Sequence, residues 1–255
     1  MFLLTLDIKK INFYKELGYY NHPNSLFIIH HINELYSVGL ERYILENKVF
    51  SLIDTKKILY LNPSYFGHFK LCFKKNKKVK FFITSTKNRN YDYFLKGIYI
   101  LKNNSLDFEI NVVGRCGKFG IKDVPIELRK YFQFYSKIPY QKMYEIVLTS
   151  DFIILNLYPS KEDNIYKFYR ATGSAQLSYG FCKPALVEKS FASIYKFSDK
   201  NSIIYNNNDI SLAMMKAIKI SKKKYTILCK NLNLLRKKIF DISLNNLKKI
   251  INKYK

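Results

Sequence analysis

VKFFITSTKNRNYDYFLKGIYILKNNSLDFEINVV, Val79 to Val113, contains a strand, a helix and a second strand in one run. Val79 to Thr84 is a short apolar stretch of strand length. Tyr91 to Lys102 places Phe94, Ile98 and Leu101 on one helical face at spacings of four and three, and Glu109 to Val113 is again apolar and short. The rhythm continues downstream. Strands are predicted at Phe132 to Ser136, Phe152 to Leu157, Pro184 to Val187 and Ser202 to Tyr205. Helices are predicted at Tyr140 to Thr149, from about Thr172 to Gly180, and at Ile210 to Ser221 with Asp209 as N-cap. Strand alternating with helix predicts an α/β fold, a Rossmann-like parallel sheet flanked by helices. Ligands of such sheets bind beyond the carboxyl ends of the strands.

Upstream of this region the pattern is similar in kind but sparser, with a strand at Leu26 to His30, a helix around Tyr43 to Ile53 and a strand at Lys57 to Leu61. That is too little for a complete second Rossmann domain, so residues 1–78 are expected to be a small, shortened N-terminal α/β part. The basic run KKNKK, Lys74 to Lys78, is the expected hinge, and residues 79–222 form the main domain. After Lys222 two Lys-rich amphipathic helices are expected in residues 223–255. Leu228, Leu232 and Leu235 mark one face, and Leu244, Leu247 and Ile251 the next.

The chain has 44 Lys and Arg against 19 Asp and Glu, a formal charge of +25, which favours anionic partners such as nucleotides, lipid headgroups or nucleic acid. The same excess also fits a bias toward Lys, Asn, Ile, Phe and Tyr placed on solvated faces. Cys72, Cys116, Cys182 and Cys229 are scattered without a CxxC pair, which argues against a zinc site and against a disulfide framework. A reduced, cytoplasmic setting follows. The opening MFLLTLDIKK lacks the order of a signal peptide, and no stretch approaches the roughly 20 apolar residues of a membrane span. Any membrane contact is expected to be peripheral, at the inner face.

The run RATGSAQLSYGFCKPALV, Arg170 to Val187, carries the chemistry. Thr172, Gly173 and Ser174 fall where a helix begins, so free backbone N–H groups, two hydroxyls and the positive end of the helix dipole converge. That combination suits an anion, diphosphate above all. It also fits a plain N-cap and turn. The pattern LNLYPS, Leu155 to Ser160, followed by KEDNIYKFYRATGS and then SYGFCKP before an apolar strand, resembles the donor-binding domain of GT-B type glycosyltransferases. ITSTKNRNYDYFLKGIYIL, EINVVGR, IPYQKMYEIVLTSDFIIL and NSIIYNNNDISLAMMKAI are similar to successive parts of the same domain, over roughly Val79 to Ile220.

The resemblance implies a nucleotide-diphosphate sugar as donor substrate, with no other cofactor and no metal. Arg89, with Lys87 beside it, would meet the diphosphate, and Arg115 after the next strand fits a phosphate contact and equally a plain loop. Ile138 and Tyr140 would flank the base, and Thr172, Gly173 and Ser174 would hold phosphate and sugar. Many retaining members carry two glutamates flanking the loop and helix. Glu162 stands near the first, but Gly173, Ser174 and Leu177 occupy the region of the second. His30, ending the N-terminal strand, is a candidate base for an acceptor hydroxyl, and equally a structural residue. No Asp-x-Asp occurs, and GRCGKFG is neither a dinucleotide fingerprint nor a P-loop. The expected function is sugar transfer to a polysaccharide or lipid-linked acceptor in cell-envelope glycan synthesis. The alternatives are a nucleotide-sugar-binding protein that needs a partner chain to complete the acceptor side, and a basic nucleic-acid-binding protein.

Overall fold

A computed structural model of the chain describes residues 2–6, 25–29, 49–52, 54, 58–62, 64, 66–67, 69–85, 89–114, 119–168, 170–206 and 209–253. The chain divides into two units. The smaller comprises residues 1–64, 164–171 and 237–255, and the larger residues 65–163 and 172–236.

In the smaller unit four strands, β1 (Phe2–Leu6), β2 (Ser25–Ile29), β3 (Val49–Ser51) and β4 (Leu59–Tyr60), pair in parallel in the order β1-β2-β3-β4. Its core gathers Leu26, Phe50, Leu61 and Ile250. The helix that supplies Ile250 is pinned at the end of β4. The Asn62 amide donates to the Ser243 hydroxyl at 2.9 Å and Asn246 Nδ2 donates to the Tyr60 carbonyl at 2.8 Å. Strand β1 was not anticipated from sequence, and Val49–Ser51 is strand where a helix over Tyr43 to Ile53 was expected. Three apolar or small residues pairing with β2 outweigh a local helical period when the neighbouring strand supplies the hydrogen bonds. The rest of that expected helix lies outside the described residues.

The larger unit follows the predicted alternation closely. Its elements are β5 (Val79–Ser85), α1 (Asp92–Asn103), β6 (Phe108–Gly114), β7 (Phe132–Ser136), α2 (Tyr140–Thr149) and β8 (Phe152–Ile154). The chain then enters the smaller unit through the short α3 (Ile165–Phe168). It returns with α4 (Gly173–Phe181), β9 (Ala185–Glu188), α5 (Lys189–Ala192), β10 (Ile203–Tyr205) and α6 (Ile210–Lys219). The six strands are parallel in the order β10-β9-β8-β5-β6-β7. In chain order this is 6-5-4-1-2-3, a doubly wound sheet whose direction of winding reverses between β5 and β8.

Central parallel strands must bury both faces, and these do. Phe81, Phe82 and Ile83 of β5 and Phe152, Ile153 and Ile154 of β8 are fully inaccessible to solvent. On one face α1 and α6 pack together over Phe81, Ile83, Ile154 and Ile203. Gly97 permits their close approach, since a Cβ there would meet Ile210 Cγ2 at 2.9 Å. On the other face α2 and α4 lie against β5 and β8 and against each other. Expected strand ends also shift: β8 stops at Ile154 rather than Leu157, because Asn156 takes a left-handed backbone, φ 49°, that breaks the ladder.

After β10 and α6 comes α7 (Lys222–Lys253), one continuous helix of 32 residues where two were expected. No proline or glycine interrupts it, and its first half belongs to the larger unit and its second half to the smaller. The boundaries expected at residues 78 and 222 therefore do not coincide with the units. Lys74 to Lys78 is no free hinge but part of the larger unit. The backbone amides of Asn76 and Lys80 each donate to the Asp151 carboxylate at 2.8 Å, and Lys75 Nζ donates to the Ile220 carbonyl at 2.9 Å. Tyr225 of α7 donates its hydroxyl to the Asp151 carbonyl at 3.0 Å, so one buried aspartate ties the start of β5, the start of β8 and α7 together.

Beside Asp151 lies a buried group of Lys183, Cys182 and Cys229. Burial lowers the Lys183 amine and raises both thiols, Cys182 from 9.0 to about 11 and Cys229 from 9.0 to about 12. A thiol with a raised pKa keeps its proton in the folded chain after the unfolded chain has lost it. Its contribution to stability is complete below about pH 9 and is lost as pH rises toward the folded values. Denaturant unfolding across that alkaline range should show stability falling, and Cys182→Ala and Cys229→Ala should each flatten the fall. Near neutral pH, mass spectrometry after alkylation should find the exposed Cys72 modified and Cys182 and Cys229 protected until the protein unfolds.

Candidate functional site

The winding reversal places the ends of β5 and β8 on either side of a crevice, and two contacts in the larger unit bridge it. In the first, Arg89 in the loop after β5 meets Asp163 in the loop after β8. Nη1 lies 3.1 Å from the Asp163 Oδ1 and also donates to the Asn156 carbonyl at 3.1 Å. Both side chains are only 5% exposed. Asp163 accepts the Tyr158 amide through its other oxygen at 2.9 Å. The Tyr158 hydroxyl donates to Asn156 Oδ1 at 2.8 Å, and Asn156 Nδ2 donates to the Asn90 carbonyl at 3.3 Å. Burial raises the Asp163 carboxyl, against the pull of Arg89 and of the Tyr158 amide.

The second bridge joins Thr84, near the end of β5, to Ser174 in the first turn of α4, with their hydroxyl oxygens 3.0 Å apart. Ser174 is buried, and so is Thr172, whose extended backbone makes it the N-cap without a side-chain cap bond. Gly173 between them is exposed. A Cβ built there would touch nothing within 4 Å, so a side chain at this position would meet no neighbour. The first turn of any α-helix carries N–H groups without intrahelical partners and the positive end of the dipole, and Gly173 is the exposed residue of that turn.

A third polar row runs along the carboxyl ends of the strands on the face covered by α1 and α6. Two residues beyond the paired Ile83, Ile154 and Leu186 stand Ser85, Asn156 and Glu188, and Glu188 pairs with Tyr205 of β10. All four are buried. Ser85 donates to the Phe119 carbonyl at 2.9 Å, and Glu188 accepts the Ser190 amide at 2.7 Å as the cap of α5. The buried Tyr205 hydroxyl has no hydrogen-bond partner among the described residues, and burial together with Glu188 and Asp163 raises its pKa.

The expected site residues thus fall into distinct groups. Thr172, Gly173 and Ser174 begin a helix as expected, but the Ser174 hydroxyl turns to Thr84 and Gly173 alone is open. Arg89 lies at the crevice with its guanidinium given to Asp163, because a buried cation needs a counter-charge. Glu162, next to that aspartate, is exposed, and its own amide and the Ser160 hydroxyl lower its carboxyl pKa, which keeps it ionised. Ile138 is half-buried and Tyr140 is 73% exposed where β7 leads into α2. His30, Lys87 and Arg115 lie outside the described residues. Sequence reading missed Asn156, Tyr158, Asp163, Glu188 and Tyr205. Asp163 was visible only as the neighbour of Glu162, and nothing local marks Asn156 as the residue that ends β8.

No family model matches the sequence, and no curated protein matches it. Solved structures do. S. aureus TarM, a mutant solved with fondaparinux, alpha-GlcNAc-glycerol and UDP, superposes with a TM-score of 0.57 at 13% identity, over 95% of this chain and 53% of its own. A Glycosylation Associate Protein (Gap123) complex from Streptococcus agalactiae gives 0.59 at 10% identity, over 98% of this chain and 53% of its own. The chain has the fold of GT-B type glycosyltransferases. At these identities the likeness is one of fold, and the chain spans about half the length of the structures it matches. The six strands of the larger sheet and the helices between them lie within Val79 to Ile220.

Two expectations concern the energetics of the GT-B crevice. Arg89→Ala leaves Asp163 ionised and buried without its partner, and should cost about 3–5 kcal/mol in urea unfolding, whereas the apolar pair Arg89→Met with Asp163→Leu should recover much of that loss. Tyr205→Phe removes a buried hydroxyl that no group among the described residues satisfies, and the same measurement should show stability raised by about 1 kcal/mol.

Proposed function

We propose that this protein is a cytoplasmic glycosyltransferase that transfers a sugar from a nucleotide-diphosphate donor to a polysaccharide or lipid-linked acceptor in cell-envelope glycan synthesis. The observation that carries the reading is the exposed Gly173, with free space around it, at the tip of α4 beside the winding reversal of a GT-B sheet. A diphosphate seated there accepts hydrogen bonds from the helix start and meets the positive end of its dipole. As the glycosidic bond breaks, the leaving diphosphate gains charge, and preorganised donors that strengthen with that charge lower the barrier without a divalent cation. Lys87 and Arg115, which follow β5 and β6 in the sequence, add positive charge in this reading, as does Arg89 when its guanidinium turns from Asp163. Ile138 and Tyr140 flank the base. They follow β7, two strand spacings or about 10 Å from β5, which suits a ligand lying across the strand ends. Glu162 stays ionised near the sugar, and His30 serves the acceptor hydroxyl. TarM, solved with UDP, supports a nucleoside diphosphate as the ligand class.

Binding of UDP-, GDP-, ADP- and CMP-sugars should raise the melting temperature by mass action for the matching nucleotide. Gly173→Asp tests the site itself. The added side chain has room and its charge suits a helix start, so the fold should be as stable as wild type. Its carboxylate repels a diphosphate, and calorimetry should show affinity weakened about tenfold or more, about 1.4 kcal/mol. Unchanged affinity in a folded Gly173→Asp protein removes α4 from the site.

A second reading, nucleotide-sugar binding without turnover unless a partner chain completes the acceptor side, draws on the neutralisation of Arg89 by Asp163. A sugar-transfer assay with saturating donor separates the two, since a binder shows the melting shift without product.

A further inference from the structure

Helix α7 presents an outward stripe with a regular composition. Lys223, Ile227, Lys230, Leu234, Lys237, Asp241, Leu244 and Lys248 follow one another at spacings of four and three, and every one is exposed. The opposite stripe, Tyr225, Leu228, Leu232, Ile239, Ser243 and Ile250, is buried. Each half of the helix therefore meets its own unit with one side and turns alternating lysines and apolar residues outward. The apolar members are well exposed, Ile227 at 45% and Leu234 at 63%, with Phe240 at 45% beside the stripe. Over Lys222 to Lys253 there are ten Lys and Arg and a single acid, Asp241.

Three lysines, Lys222 to Lys224, fill the first turn, where the positive end of the helix dipole disfavours cations. An external anionic surface would offset that unfavourable placement. The exposed Ile and Leu side chains narrow the choice. A polyanion such as nucleic acid is served by the lysines alone and gains nothing from branched apolar groups in water. A lipid surface uses both kinds of residue, because apolar side chains dip below the headgroups while lysine stems lie along them and the ammonium groups reach the phosphates. No helix among the described residues is long and apolar enough to cross a membrane. Within the larger unit the stripe from Lys223 to Leu234 runs about 16 Å along the helix axis, three turns that can rest in the plane of the headgroups.

We propose that the outward stripe of α7 docks on an anionic lipid bilayer. The inference does not rest on the sugar-transfer reading and stands or falls separately from it. The test is co-sedimentation of the full chain with vesicles of phosphatidylcholine alone and of phosphatidylcholine mixed with phosphatidylglycerol. Two variants accompany it, Lys223→Gln with Lys230→Gln and Lys237→Gln, and Ile227→Gln with Leu234→Gln. All five positions are exposed, so both variants should melt like wild type. Wild type should bind the anionic vesicles and not the neutral ones. The lysine variant should lose roughly a hundredfold in affinity at low salt, and the apolar variant about tenfold. Equal binding to neutral vesicles, or wild-type affinity in the apolar variant, overturns the proposal. Tighter binding to a random DNA duplex than to anionic vesicles at the same salt also overturns it and assigns the stripe to nucleic acid.

Discussion

Strands β5 and β8 are buried on both faces, and the architecture of the larger unit follows from that constraint. Three consecutive positions in each strand, Phe81 to Ile83 and Phe152 to Ile154, exclude solvent completely. Helices must then cover both faces of the sheet, since an uncovered face would leave aromatic and branched side chains in water. With both faces closed, only the strand ends remain for ligands, and the reversal of winding opens the carboxyl ends between β5 and β8. The candidate site is therefore a consequence of how the core is closed.

What fills that crevice is an electrostatic arrangement with a built-in tension. Arg89 and Asp163 neutralise each other in a nearly dry setting, where the Asn156 carbonyl accepts from Arg89 and the Tyr158 amide donates to Asp163. A buried pair of this kind holds two loops in register, but its desolvation offsets much of its attraction. The raised Asp163 carboxyl reflects that cost. The tip of α4 is the opposite case. There Gly173 is exposed with free space around it, and the Ser174 hydroxyl is spent on Thr84, so no acidic side chain is bonded to the helix start.

The end of the chain shows how a single long helix serves several demands. Tyr225 and the neighbouring apolar residues close the larger core, while Ile250 and Ser243 close the smaller one. The outward lysines satisfy neither core. Their helix remains continuous because no residue in it breaks the hydrogen-bond ladder, and its buried stripe keeps the same period over its whole length.

The alternation from Val79 to Ile220 was legible from sequence because apolar period and element length are local properties. β7 and α2 matched residue for residue, and Asp209 caps α6 through the Leu212 amide. The helix start at Gly173 was legible for the same reason. Other features depend on partners far away in the chain. Sequence could not show that Arg89 would meet Asp163, 74 residues on, or that Asn156 would end β8 in a left-handed turn. Nor could it show that Val49 to Ser51 would pair as a strand, or that the second half of α7 would join residues from the beginning of the chain. Local period determines which face of an element is apolar. Only tertiary packing decides what covers that face, and therefore which charges are buried in pairs and which backbone amides are left open to a ligand.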